Sequence, residues 1–287
     1  MILGIDVSRY QKTIDWALLK SKGVEFVVIK ATSGNYLQDP KFSDHVAGAN
    51  AAGLIVGAYH WCDPLVGAGS QAQYFLNAIQ GKQIKFLAAD MEQQWASWQE
   101  WQNRNITQLL SPTQISENGR QIVGYWRQRS QLPVVVYTRT SFITNYAQPA
   151  LSWLKDYPVW LAWYPFRAGT VSVTWESFAQ SYAPASDTGM RLPSGVNSWT
   201  FWQFSGDKFR LPGVDTLVDV NYYNGDLNAL RQWVGLPAIP PTPTTTDPVT
   251  PTTPTTTDPT TPVTPTHTVE ERLALLETQA RVHGWSV

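Results

Sequence analysis

The apolar positions of this chain fall into short runs separated by longer stretches of mixed polarity. Eight runs are rich in β-branched and aromatic residues, at about 2–7, 26–32, 54–61, 86–92, 133–138, 159–164, 200–205 and 218–223. Near-continuous apolar runs of this length predict strands buried on both faces, as in a parallel sheet. Between most of the early runs the pattern changes to a helical one, over 15–22, 39–52, 68–79 and 112–131, and a last helix is predicted over 226–233. The later runs have less helix between them. Eight strands with early βα alternation predict an α/β protein built on an irregular, TIM-like barrel. A doubly wound sheet is the competing architecture. However, no Gly-x-Gly-x-x-Gly follows the first run and no Walker A sequence occurs.

The pattern breaks near Pro237. From there to about Thr266 the chain is almost wholly Pro, Thr and Asp, with a near-repeat of T-P-T-T-T-D-P. Such a segment cannot bury apolar surface and is expected to be an extended linker over 237–266. In polyproline II form it reaches on the order of 90 Å. Residues 267–287 follow as one amphipathic helix. Thr268 and Glu271 form a capping box, Val269, Leu273, Leu276 and Ala280 make an apolar stripe, and Gly284 ends it. A helix this short does not fold alone. The expectation is a homo-oligomer formed through it, with docking to a wall or another partner as the alternative. Residues 1–236 remain as the main domain.

Composition narrows the class. Of 287 residues, 43% are hydrophobic and the formal net charge is −1, so a sizeable core is available. No basic block invites nucleic acid or an anionic membrane as a partner. No segment approaches the roughly 20 apolar residues of a membrane span. Met1-Ile-Leu-Gly-Ile-Asp6-Val reads directly as a strand, without a basic region, apolar stretch and cleavage site, so synthesis in a cytoplasm without a signal peptide is expected. Cys62 is the single cysteine. It permits no intrachain disulfide and reads as a small buried residue after a strand. Trp95, Trp98, Trp101 and Trp153 lie outside the apolar runs, as candidates for stacking on sugars or for ordinary packing.

Candidate chemistry lies at the ends of the predicted strands, where a βα barrel builds its sites. The fourth run ends Phe86-Leu-Ala-Ala-Asp90-Met-Glu92. Residues i and i+2 of a strand share a face, so Asp90 and Glu92 are expected to aim at one spot. Two carboxyls that close do not both keep ordinary pKa values, and one ionised with one protonated is what glycosidic cleavage needs. Around them fall Asp6, Lys30, Tyr59, His60, Trp61, Tyr137, Trp163, Tyr164, Gln203, Asp219 and Asn221. Together they describe an acidic, aromatic-lined mouth with one lysine, suited to sugars. His60 is expected to be a hydrogen-bonded core residue. No His pair has metal-ligand spacing, so neither metal nor cofactor is expected, and no G-x-S-x-G elbow is present.

Several of these segments resemble the glycoside hydrolase family 25 lysozymes, the Chalaropsis-type N-acetylmuramidases. Asp6-Val-Ser-Arg-Tyr-Gln11 with Ile14-Asp15-Trp16 is similar to that family's opening. Phe26-Val-Val-Ile-Lys30-Ala-Thr-Ser-Gly34, Asp39-Pro-Lys-Phe42, the stretch from Ala52 to Trp61 and Gln71-Ala-Gln-Tyr-Phe75 follow in order. Ala89-Asp90-Met-Glu92, Pro133-Val-Val-Val-Tyr137, Val159-Trp160-Leu-Ala-Trp-Tyr164, Trp202-Gln203-Phe and Val218-Asp219-Val-Asn221 complete the series. The resemblance covers essentially all of residues 1–236. It implies a (β/α)5(β)3 barrel and hydrolysis of the β-1,4 bond between N-acetylmuramic acid and N-acetylglucosamine in bacterial peptidoglycan. It also implies retention of configuration through the substrate's own 2-acetamido group. By position it makes Glu92 the general acid and Asp90 the carboxylate assisting the acetamido group. Asp6 and Asp219 become supporting acids. Lys30, Tyr59, Trp61, Tyr137, Trp160, Tyr164 and Gln203 become substrate-binding residues.

The chain departs from the family at Ser33, where Glu is common and which reads as a groove-rim position, and at Trp61, where Phe is commoner. A Trp- and Gln-rich insert over 93–110 is longer than expected after this strand. With no signal peptide, the resemblance fits a phage or prophage lysin that reaches the wall through a separate pore. A non-catalytic wall-binding protein and a chitinase-like glycosidase are the rival readings. The residues before Asp90 lack the extra acids of the chitinase motif.

Overall fold

The computed structural model describes residues 1–92, 109–165 and 189–240. The chain divides into two units, Met1–Pro240 and Pro241–Val287. The second unit, with most of the expected linker and all of the terminal helix, lies outside the described residues. So do residues 93–108 of the insert, including Trp95, Trp98 and Trp101.

The described unit is a closed barrel. Its strands are β1 (Ile2–Val7), β2 (Val24–Ser33), β4 (Ile55–Trp61), β5 (Phe86–Asp90), β6 (Val134–Thr138), β7 (Val159–Ala162), β8 (Phe201–Phe209) and β9 (Val218–Tyr223), with β3 (Leu37–Gln38) a short addition on β2. Pairing from β1 through β2, β4, β5, β6 and β7 to β8 is parallel. Strand β9 then runs antiparallel to both β8 and β1 and closes the ring. All eight runs read as strands in the sequence are strands here.

Helices α1 (Trp16–Ser21), α2 (Phe42–Ala51), α3 (Ala68–Ile79) and α4 (Pro112–Arg129) lie between the strands of the first half, and α7 (Leu227–Trp233) follows β9. Asp15 caps α1 through Leu18 N, and Ser111 with Gln114 forms a capping box on α4. Helix α2 starts later than the pattern predicts. Asp39 is spent on the turn before it, where its carboxylate accepts from Arg9 N at 3.0 Å and Lys41 N at 2.9 Å. Two short helices between β6 and β7 were not expected, α5 (Thr140–Tyr146) and α6 (Leu151–Leu154), joined by a 3₁₀ turn at Gln148–Ala150. Among the described residues no helix is long and apolar enough to cross a membrane.

Strand alternation sorts the side chains into two cores. Outward residues such as Val27, Ile29, Val56, Leu87, Val136 and Leu161 pack under the helices. Inward residues stack in layers. The lower layer is aromatic: Phe86 lies on Phe201 with centroids 5.1 Å apart, and Phe26 sits 5.2 Å from Phe201. Trp233 of α7 closes this end, 5.4 Å from both Phe86 and Phe201. Gly4 and Gly57 make room for it, because a β-carbon there would stand 2.3 Å from the Phe26 ring and 2.4 Å from the Phe86 ring. Helix α7 also holds the chain beyond residue 236. Arg231 Nε donates to Pro237 O at 2.7 Å and Ile239 N to Asn228 Oδ1 at 2.8 Å. The upper layer, at the carboxyl ends of the parallel strands, is polar and forms the site.

Candidate active site

Eight residues line an inner pocket of about 80 Å³: Asp6 from β1, Tyr59 from β4, Asp90 and Glu92 at and beyond the end of β5, Tyr137 from β6, Trp160 from β7, Gln203 from β8 and Asp219 from β9. All eight are among the residues the sequence singles out. Strand β5 ends at Asp90 instead of continuing through Glu92, yet the alternation persists. Met91 N donates to Tyr137 O at 2.9 Å and Thr138 Oγ1 to Met91 O at 2.9 Å, holding the segment against β6. Met91 points outward, against Gly119 of α4, so its two acidic neighbours share the pocket.

One hydrogen-bond network fixes the floor. Asp6 Oδ2 accepts from Asn221 Nδ2 at 2.7 Å and Gln203 Nε2 at 3.0 Å. Gln203 Nε2 also donates to Asp219 Oδ2 at 3.2 Å, and Gln203 Oε1 accepts the hydroxyls of Tyr137 and Tyr164, each at 2.8 Å. Asn221 Oδ1 in turn accepts from Trp160 Nε1 at 2.8 Å. Every polar atom of the Gln203 amide is thereby engaged, which fixes the spacing between Asp6 and Asp219. Burial raises the Tyr59, Tyr137 and Tyr164 phenols, so they stay protonated donors.

Asp90 and Glu92 have unlike surroundings. Burial, then the charge of Glu92, pushes Asp90 well above the usual carboxylate range against the pull of Lys30. Asp90 Oδ1 is buried and has no hydrogen-bond partner among the described residues. Burial raises Glu92 too, but the guanidinium of Arg139, 3.6 Å away, and Lys30 draw it back. Both carboxyls are thus pushed toward the protonated form, Asp90 by the stronger burial and Glu92 with two cations opposing.

Lys30 is buried with its ammonium 4.0 Å above the Trp61 ring and 5.8 Å from the Tyr59 centroid. Burial lowers its pKa to about 8, against the attraction of Asp90, Asp39 and Glu92. Trp61 lines an outer cleft beyond Glu92 instead of the inner pocket, with Arg139, Ser141, Phe142, Asn145 and Tyr146. The Tyr164 ring lies 5.5 Å from the Arg139 guanidinium. Arg139 escaped the sequence reading, and Asn221 was noted only as a strand-end residue. Arg139 stands two positions after Tyr137, and the face-sharing rule that pairs Asp90 with Glu92 finds it as well.

Other candidates are structural. His60 is fully buried, Nδ1 2.7 Å from Thr32 Oγ1 and Nε2 2.9 Å from Gln71 Oε1, and burial lowers its pKa to about 4. Burial raises the Cys62 thiol well above its ordinary value. Trp153 is packed, with Nε1 donating to Ser116 Oγ at 3.0 Å, and is no sugar platform. Ser33, read as a rim position, is buried, because β2 continues to it and pairs it with Trp61. Among the described residues no group of three or more His, Cys, Asp or Glu side chains is placed to hold a metal ion.

Known proteins share this arrangement of sequence. The chain is 30% identical over 239 residues to the uncharacterized protein YegX of Escherichia coli strain K12, covering 81% of this chain and 73% of that protein. It is 31% identical over 229 residues to lysozyme M1 of Streptomyces globisporus, covering 78% of this chain and 68% of the relative. The crystal structure of a bacterial lysozyme from Streptomyces coelicolor superposes with a TM-score of 0.64 at 28% identity, over 81% of this chain and 96% of that one. The sequence profile of the glycosyl hydrolases family 25 matches residues 5–214. That span holds all but the first residues of the parallel part of the barrel, with Asp6, Asp90 and Glu92, and the chain belongs to glycosyl hydrolase family 25.

Proposed function

We propose that this glycoside hydrolase is a lysozyme of the N-acetylmuramidase type. It cuts the β-1,4 bond between N-acetylmuramic acid and N-acetylglucosamine in bacterial peptidoglycan, and it acts at the cell wall. The relative named lysozyme M1 supports the substrate class. The observation that carries the chemistry is the buried Asp90 Oδ1 without a partner, in one pocket with Glu92. An orphaned acceptor of this kind fits the N–H of a 2-acetamido group.

Binding the acetamido N–H stabilises the ionised form of Asp90 and leaves the shared proton to Glu92. Glu92 then donates it to the glycosidic oxygen as the bond to the anomeric carbon breaks. The acetamido oxygen, oriented by Asp90, forms the new bond to that carbon and gives an oxazolinium ion. Water attacks the same carbon, opens the ring and returns a proton to Glu92, so configuration is retained. This is a substrate-assisted exception to the usual two-carboxylate scheme. Asp6 and Asp219, fixed by Gln203, supply negative potential for the positive charge that develops on the sugar.

Glu92→Gln should lower the release of reducing ends from purified peptidoglycan by about 1,000-fold with the circular dichroism spectrum unchanged. An undiminished rate refutes the role of Glu92. Mass spectrometry should find muramic acid at the new reducing ends, and glucosamine there would reassign the bond. An inverted anomer in the first product seen by NMR would rule out the acetamido route.

A further inference from the structure

Glu92 is a partition as well as an acid. On its far side the outer cleft, about 410 Å³, is about five times larger than the inner pocket, with Trp61, Phe142 and Tyr146 as aromatic walls and Ser141 and Asn145 as polar ones. Among the described residues its one cationic lining residue is Arg139. The Arg139 side chain is 46% exposed, and its separation of 3.6 Å from Glu92 is too long for a good hydrogen bond. One donor goes to Tyr137 and one ring, Tyr164, lies alongside at 5.5 Å. A guanidinium has five donors in a planar fork, and the described residues engage only a small part of it.

We propose that the outer cleft is a carboxylate-recognition subsite in which Arg139 binds an acidic group carried by the glycan strand. The inference rests on the peptidoglycan reading above and extends it to what the strand must carry. A planar fork matches a carboxylate bidentately. The described walls carry one guanidinium and one carboxyl, Glu92, so with Glu92 protonated the cleft balances a single negative charge, which suits a carboxylate better than a phosphate dianion. The aromatic walls take the apolar face of a sugar or the stem of a peptide beside it. Peptidoglycan offers carboxylates of two origins, the lactyl group of muramic acid where no peptide is attached and, where one is joined through that group, the peptide's own carboxyls.

The test is ligand titration followed by NMR on the full chain, as wild type, Arg139→Gln and Arg139→Lys. The ligands are N-acetylglucosamine, N-acetylmuramic acid, the dipeptide N-acetylmuramyl-alanyl-glutamate and that dipeptide with both glutamate carboxylates converted to amides. The wild type should bind at least one acidic ligand about tenfold more tightly than its uncharged counterpart, the gain of a partly exposed charge-assisted pair. Arg139→Gln should lose that preference, while Arg139→Lys keeps part of it. Preference for muramic acid over glucosamine assigns the lactyl group, and preference for the dipeptide over its diamide assigns the peptide. Equal binding of acid and uncharged ligand by the wild type overturns the proposal, as does a preference that survives in Arg139→Gln. Reducing-end release from peptidoglycan by the wild type reports separately on the muramidase reading. Its absence with the binding preference intact would count against that reading alone.

Discussion

The Met91 thioether occupies the space that a β-carbon on Gly119 would need, with Sδ and Cε each 2.4 Å from that position. This contact between α4 and the residue that follows β5 lies directly behind the two acids, because Met91 separates Asp90 from Glu92. The far end of a methionine moves easily, so Gly119→Ala should cost only about 1 kcal/mol. Gly119→Val presents a branched group that Met91 cannot clear without shifting its backbone. It should reduce kcat on peptidoglycan by about 100-fold, the effect of a displacement near 1 Å at the reacting groups. Steady-state kinetics alongside urea unfolding separate the two effects.

Asn221 bridges Asp6 and Trp160 with one amide. Asn221→Leu strips a donor from a buried carboxylate and an acceptor from a buried indole. The predicted loss of stability is about 3 kcal/mol, read as a lower urea midpoint with an unchanged slope.

Lys30 gives two opposite pH responses. Its pKa in the fold is about 8 against an ordinary 10.5. Between these values the unfolded chain binds more protons than the folded one, so stability should rise with pH across that window. Activity should fall over the same rise, because the charge beside Asp90 disappears as pH passes about 8. Lys30→Arg, which keeps its charge, should move the alkaline limb of kcat/KM upward. A limb unmoved in that variant would assign it to another group.

His60 sets an acid limit. Its pKa of about 4 lies below the ordinary 6.5, so the unfolded chain takes up the proton first as pH falls. Stability should therefore decline from pH 6.5 toward pH 4, by about 3 kcal/mol from this residue. Urea unfolding across that range, with His60 followed by NMR, measures both quantities.

The barrel was legible because its strands are buried on both faces and so read as apolar runs. The inner pocket was legible for a related reason: polar side chains at the ends of such runs have few places to point. What escaped depends on geometry that spacing does not encode. Helix α5 carries β-branched and polar residues with little apolar periodicity and α6 is a single turn too short to show any, so tertiary packing of Phe142, Ile143 and Leu154 makes them helical. Trp61 could not be told from the inner-pocket aromatics, because only the three-dimensional course of the chain sends it to the outer cleft with Lys30 beneath it. The orphaned Asp90 oxygen was not legible either, since it follows from how the finished barrel buries that carboxyl.

The antiparallel closure by β9 also bears on when the enzyme becomes able to act. Asp6 of β1 is made long before its partner Asn221, which lies 215 positions later in β9. Until β9 has cleared the exit tunnel, β1 lacks one neighbour and Asp6 lacks the Asn221 donor. A nascent or truncated chain therefore carries the Asp90 and Glu92 pair without the floor that supports it. Hydrolytic competence arrives with the last strand, nearly at the end of the catalytic unit's synthesis.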